Sequence, residues 1–359
     1  MEAKTLKKKK KKKIIIIVIV AVLIVAAVCG AVAYHLYGQM VDKLGKVNTV
    51  SLDKDDLDID SQVAKDLKDY RNILLLGIDT RAGESDDNCR SDASIILSIN
   101  KKTDDVKLIS VVRDSYMDVE ENGTHVLDKL THAHAYGGPQ DTIRAINRNM
   151  DMNISEYVRV NWQTVADVVD SMGGITVNVK DYEISEMNKY IKDTNKSLKG
   201  DKTLIKKAGK QKLNGIQAVT YCRIRKVGNG DMERSERMRT VIKGTYSKIK
   251  EMKLSELSDM ADKTLPEITT NISAKSMTSL MLDFSGYEIK DSQGWPYNWD
   301  GATINGVSYD VAITLESNVA KLHEKVFGQK NYDPTDRVKE ISKQVAEKSG
   351  YYGQDNTGQ

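Results

Sequence analysis

The sequence predicts one α/β domain held outside a membrane by a single N-terminal helix. Three observations lead there. Ile14–Ala33 is twenty residues without a charge, and a helix of that length covers roughly 30 Å, the thickness of a bilayer core. From about residue 70 onward, short apolar runs alternate with longer amphipathic stretches, the pattern of strands and helices wound together. Aspartates and arginines collect where the apolar runs end. In open α/β sheets that is where ligands bind.

The chain has 359 residues and a formal net charge of +3. The first 33 residues alone carry +7, from Lys4 and Lys7–Lys13 against Glu2, so the remainder is acidic at −4. A basic tail ahead of an acidic body argues against a nucleic-acid binder and against a transcriptional regulator. Lysines directly before the apolar run keep the N-terminus cytoplasmic and send the rest outside. The run lacks a small-x-small cleavage site, so it reads as a signal anchor. The expected organisation is a basic cytoplasmic tail over 1–13, the anchor over 14–33 and a polar stalk over 34–69. A catalytic domain over 70–330 and a helical or disordered tail over 331–359 complete it.

Within the domain, Ile73–Leu76 reads as a buried strand, and Ser94–Asn100 and Val106–Val112 as strands joined tightly by KKTDD. Pro139 suits the first turn of a helix. Tyr157–Asn161 reads as a strand, Trp162–Met172 as a helix ended by Gly173–Gly174, and Ile175–Val179 as an alternating strand. Glu183–Lys212 is polar and reads as an insertion or flap. Leu213–Tyr221 and Glu233–Met252 read as helices, Gly286–Gly306 as a loop or small hairpin, and Val311–Val326 as a closing helix.

The charged positions at these boundaries are Asp79, Arg81, Arg90, Asp92, Arg113, Asp114, Arg223, Arg225, Asp231, Arg234 and Arg237. Arginine's planar fork suits bidentate phosphate binding, and carboxylates are the hard ligands that Mg²⁺ takes together with phosphate oxygens. The set therefore points to a pyrophosphate and a metal, against the plainer reading of a surface salt-bridge network. His125, His132 and His134 have no accompanying cysteine pattern for zinc. No G-x-S-x-G elbow marks a serine hydrolase. Cys89 precedes Arg90 and Cys222 precedes Arg223; two exported thiols can pair, but spacing leaves a disulfide open.

In order, the segments NILLLGIDTR, the RSD of Arg90–Asp92, VVRDSY, DKLTHAHAYGGP, GKQKLNGIQAVTYCRIRK, GDMERSERM and LPEITTNIS resemble the LytR-CpsA-Psr family of cell-wall glycopolymer ligases. The resemblance covers about residues 70–275. It implies a three-layer α/β/α ectodomain with a mixed central sheet. It also implies transfer of a glycopolymer, of teichoic acid or capsule type, from an undecaprenyl-pyrophosphate carrier to a peptidoglycan hydroxyl. By motif, Asp79 and Asp92 match acids that hold Mg²⁺, for which Mn²⁺ is the nearest substitute. Arg90, Arg113, Arg223 and Arg225 match the phosphate-gripping arginines, and Arg234 and Arg237 join them as pyrophosphate ligands from a D-x-x-R-x-x-R rim that starts at Asp231, with Arg81 beside it. Asp114 matches an acid that orients Arg113. Asp79, Asp92, Arg113 and Asp114 form the expected catalytic group, and either Asp92 or Asp114 could take the acceptor's proton. Two departures are Met238, where the family usually has Gln, and Thr131, where Asn is common. The implied partners are the lipid-linked glycan donor, the peptidoglycan acceptor and the cell membrane. Two rivals are a non-catalytic anchored protein that binds anionic wall polymer and a pyrophosphatase acting on the same lipid.

Overall fold

The computed structural model describes residues 45–79, 89–193, 198–249, 251–283 and 286–353. The expected basic tail, the anchor and Arg81 lie outside the described residues. Among the described residues no helix is long and apolar enough to cross a membrane.

The main sheet has seven strands: β1 (Asn48–Thr49), β2 (Tyr70–Ile78), β3 (Ser91–Asn100), β4 (Asp105–Val111), β7 (Glu156–Asn161), β10 (Thr269–Thr270) and β11 (Glu288–Trp295). Their order is β1-β10-β7-β2-β3-β4-β11. The sheet is mixed, since β1 runs parallel to β10 and β10 antiparallel to β7. By internal contacts the chain forms two compact units. The first comprises Leu52–Ser98, Ile109–Ser155 and Gln293–Gln359; the second comprises the chain up to Ser51, Ile99–Leu108 and Glu156–Ser292.

In the first unit, β2 buries Ile73, Leu74, Leu76 and Ile78, and β3 buries Ile95, Ile96 and Leu97. Such near-continuous apolar runs suit strands covered on both faces. A Cβ added at Gly77 would lie 3.0 Å from the Cβ of Ala93. The close of β2 therefore lies against the opening of β3, and glycine is what lets the two backbones approach.

The hairpin β5 (Tyr116–Glu121) and β6 (Thr124–Lys129) follows. It turns through Asn122 and Gly123, both at positive φ, the arrangement that Asn-Gly favours in two-residue hairpins. Next comes α2 (Leu130–Met150), broken at Gly137–Gly138, with Pro139 opening its second half. Gly138 sits at φ 66°, ψ −148°, a region open essentially to glycine alone.

Residues 52–69 are not a stalk. Here α1 (Ser61–Asp66) is capped by Asp60 and anchored by buried Leu57, Val63 and Leu67. The acidic run ahead of it is neutralised from α2: Arg148 pairs with Asp58 at 2.5 Å, and Arg144 pairs with Asp56 at 3.4 Å. The C-terminal segment is likewise folded in. The hairpin β12 (Trp299–Ile304) and β13 (Val307–Ala312) precedes α9 (Leu315–Phe327) and α10 (Asp336–Ser349). α10 buries Val338, Ile341 and Val345, and its cap residue Thr335 bonds to Asp151.

In the second unit, α3 (Trp162–Ser171) starts on the Asn161 cap and buries Ala166, Val168 and Val169. The expected flap is ordered structure. It forms α4 (Asp181–Asp193), which buries Met187 and Ile191, and β9 (Gly209–Leu213), which pairs antiparallel with β8 (Ile175–Val179). Ile184, Met187 and Ile191 fall at i, i+3 and i+7 and give α4 its apolar face, whereas β9 has few apolar residues and is set by its pairing with β8. Then come α5 (Gly215–Arg223), α6 (Gly230–Ile249), α7 (Leu254–Thr264) and α8 (Ala274–Asp283).

Candidate active site

The first unit carries a row of alternating charges at strand ends. Asp79 follows the last residue of β2, while exposed Arg90 and half-buried Asp92 flank the first residue of β3. Because Gly77 abuts Ala93, both aspartates stand at the same end of adjacent strands. Beyond β4 the chain makes a turn, closed by the Ser115 amide on the Val112 carbonyl at 3.1 Å, with Arg113 and Asp114 at its corner. Arg113 Nη1 bonds to Asp92 Oδ1. Its Nε donates to Asp114 Oδ1 at 3.1 Å. Lys129 Nζ lies 3.4 Å from the same oxygen.

The turn is pinned by main-chain bonds from several directions. Thr131 N donates to the Arg113 carbonyl at 2.9 Å, Leu130 N to Ser115 O, Val112 N to Trp295 O, and Asp310 N to Asp114 O. Thr131 Oγ1 also donates to Ser91 O at 2.7 Å. The threonine that departs from the family's usual asparagine thus ties the helix start to β3 through its hydroxyl. Such anchoring holds Arg113 in one geometry before any ligand arrives. The Arg113 side chain remains 16% exposed.

Lys129 belongs to this row; the sequence alone leaves it open between a substrate contact and a solvated lysine. Its ammonium lies over the Tyr309 ring at 5.5 Å, a contact with a residue 180 positions away in sequence. The signal available was its place two residues ahead of the Thr-His-Ala-His segment.

The second unit carries the other arginines. Arg223 closes α5 and stacks over Trp162 at 5.7 Å. Arg225 is 43% exposed and pairs with Asp231 at 2.5 Å, and Asp231 also accepts from Arg234 at 3.3 Å. Arg237 does not join them. It is 2% exposed, its Nε donates to fully buried Glu183 at 2.7 Å, and its Nη2 lies 3.1 Å from Glu233. Its remaining bonds go to the Ile224 and Val227 carbonyls. The phosphate-binding role expected of Arg237 is replaced by a structural one, because its donors are turned inward. Met238 is buried beside it.

Burial works against ionised Glu233, but the bonds from Lys180, Tyr182 and the Asn229 amide outweigh it and hold the carboxyl down at about 2. This ion pairing contributes stability above the ordinary glutamate range and loses it as pH falls toward 2. Glu233→Gln is therefore expected to lower stability by about 2–3 kcal/mol at pH 7, with the difference from the parent closing between pH 4.5 and 2 in urea titrations. Gly228, at φ +74°, leaves room for this carboxylate: a Cβ there would sit 1.6 Å from Glu233 Oε2. Gly228→Ala is expected to cost about 1–3 kcal/mol and to lower the melting temperature.

Cys89 and Cys222 are both buried. Burial pushes the Cys222 thiol up to about 12, which keeps it neutral. The three histidines considered for zinc have separate partners. His125 bonds to Asp118, His132 to Asp128, and His134 to the Cys89 carbonyl. Among the described residues no group of three or more His, Cys, Asp or Glu side chains is placed to hold a metal. The donors Asp79 and Asp92 fit a divalent ion completed by phosphate oxygens and water rather than one caged by protein.

A mixed α/β fold with a rigid, partly exposed arginine among aspartates at strand ends defines a protein suited to binding a polyanion through phosphate groups. The chain matches the LytR_cpsA_psr family over residues 34–326 and belongs to that family. It is 30% identical to the polyisoprenyl-teichoic acid–peptidoglycan teichoic acid transferase TagU of Bacillus subtilis (strain 168), over 78% of this chain and 84% of that protein. With TagU of Bacillus licheniformis it shares 31% identity over 83% and 90% of the two chains. Among solved structures it resembles protein gbs0355 from Streptococcus agalactiae (TM-score 0.62, 26% identity, 76% of this chain and 92% of that one). It also resembles TagT bound to LI-WTA (TM-score 0.56, 26% identity, 84% and 99%).

Proposed function

We infer that this protein is a phosphotransferase that moves a glycopolymer from an undecaprenyl-pyrophosphate carrier to a hydroxyl of peptidoglycan. The reading takes Ile14–Ala33 as its membrane anchor, with a three-layer ectodomain on the outer face next to a lipid-borne donor. Family membership and the transferase names of the TagU relatives support it. The observation that carries it is the pinned Asp92–Arg113–Asp114–Lys129 row.

Breaking a pyrophosphate builds negative charge on the departing phosphate. A guanidinium already fixed in place stabilises that charge more than it stabilises the ground state. In this reading Arg113 supplies that group, and Asp114 holds it in orientation. Arg90 binds phosphate oxygens in the same unit. For the second unit's Arg223, Arg225 and Arg234 phosphate binding is proposed from their own sequence motifs. Asp79 and Asp92 would hold Mg²⁺, which when bound offsets charge on the pyrophosphate.

The test is transfer in vitro from a polyprenyl-pyrophosphate oligosaccharide to peptidoglycan fragments, followed by mass spectrometry of the product. The expected result is a phosphodiester-linked product that disappears with EDTA and returns with Mg²⁺. Free glycan phosphate as the sole product would make the protein a pyrophosphatase. Binding of wall polymer without turnover would make it a non-catalytic tether.

A further inference from the structure

Transfer needs a group that takes the acceptor's proton, and the acids beside Arg113 are poorly placed for it. Asp92 Oδ1 already accepts from Arg113, and Asp114 Oδ1 faces both Arg113 and Lys129. An adjoining cluster in the same unit has the right chemistry. His132 Nδ1 donates to Asp128 Oδ2 at 2.7 Å. Tyr136 donates to the same oxygen at 2.8 Å, and Tyr309 donates to Oδ1 at 3.3 Å. Burial alone would raise the Asp128 carboxyl, but the bonds from His132, the Lys129 amide and Tyr136 outweigh it and hold it at about 2. An ionised carboxylate only accepts hydrogen bonds, so the imidazole nitrogen facing it carries the proton. In the neutral ring Nε2 is then the free base.

The dyad is joined to the charged row at two points. Thr131, one residue before His132, bonds through its amide to Arg113 O and through its hydroxyl to Ser91 O. Tyr309 reaches Asp128 with its hydroxyl and lies under the Lys129 ammonium with its ring. His132 faces Asp128 from β6 and Tyr136 from its own helix, at 6.1 Å between ring centroids, and Asp128 in turn accepts from the Tyr309 hydroxyl of β13. The other described histidines are committed elsewhere. His125 bonds to Asp118 and Arg148, His134 to Cys89 O, and His323 is buried between Met150 O and Gln329.

We propose that His132, oriented by Asp128, is the general base that deprotonates the acceptor hydroxyl, a role that rests on the transferase reading above. As the acceptor O–H bond breaks, its proton goes to Nε2 and its oxygen bonds to the glycan-side phosphorus. The bridging P–O bond breaks, and the prenyl monophosphate leaves with the electron pair. The proton then passes from the imidazolium to that phosphate or to water. Asp128 is a positioning residue. It fixes the tautomer and stabilises the imidazolium, and Tyr136 and Tyr309 hold Asp128.

The experiment measures steady-state transfer by the full chain against pH, together with donor binding. His132→Gln is expected to lower kcat by about 10²-fold with donor affinity unchanged, and to remove the acid limb of the pH–rate profile. Asp128→Asn is expected to lower kcat less and to shift that limb. Added imidazole is expected to restore part of the rate of His132→Ala, which a purely structural role for the ring would not allow. A folded His132→Gln protein that keeps the parent's rate and acid limb overturns the proposal and leaves the transferase reading standing. A parent that binds donor but transfers at no pH overturns both.

Discussion

Replacing Arg113 by alanine is expected to reduce kcat/KM for glycopolymer transfer by about 10²–10³-fold, with the protein still folded. The turn that carries this residue is held by main-chain bonds from Thr131, Leu130 and Asp310, none of which the substitution removes. Its guanidinium spans two carboxylates, Asp92 and Asp114, so it is the side chain that keeps the row in order. Arg113→Lys is expected to recover only part of the loss, because an ammonium keeps the charge but not the fork that reaches both acids. Single-turnover transfer assays on donor-saturated protein, with circular dichroism as the folding control, measure this. Full activity in Arg113→Ala would remove the site assignment.

The largest expected effect on stability belongs to Arg237. Arg237→Ala leaves Glu183 buried without its cation and removes one partner of Glu233. Breaking a buried pair by deleting one member typically costs about 3–5 kcal/mol, a large part of a domain's net stability. Urea unfolding is expected to move to much lower denaturant. Adding Glu183→Gln to Arg237→Ala is expected to recover part of the loss, because the two residues are in contact and their effects do not add. If the double variant were as unstable as the two single losses summed, the buried pair would not be the cause.

The strand-end positions of the candidate site residues were legible because they announce themselves locally. Arg113–Asp114 at the end of an apolar run, and Asp79 and Asp92 flanking two others, mark strand ends whatever the packing. The strand at Glu156–Asn161, the helix at Trp162–Ser171 and the strand at Ile175–Val179 were legible for the same reason, since apolar period and Gly punctuation are local properties. The β5–β6 hairpin went unread although Asn122–Gly123 marks its turn. Its strands mix charged and apolar residues, and much of their order comes from packing against α2.

By itself the sequence determined the strand-end positions of the acids and arginines and the motif order that makes the chain a LytR_cpsA_psr protein. Only the tertiary structure decided what each charge does. Arg234 and Arg237 lie three residues apart on one helix, where local geometry makes them equivalent. Both are buried, but Arg237 pairs with Glu183, 54 residues away in a stretch that reads as a polar flap, while Arg234 bonds to Asp231 beside exposed Arg225. The same holds for Lys129 and His132, whose partners Asp114, Tyr309 and Asp128 turn solvated-looking residues into fixed ones. A charge's role follows from its counter-charge and its burial, and those are set by long-range packing.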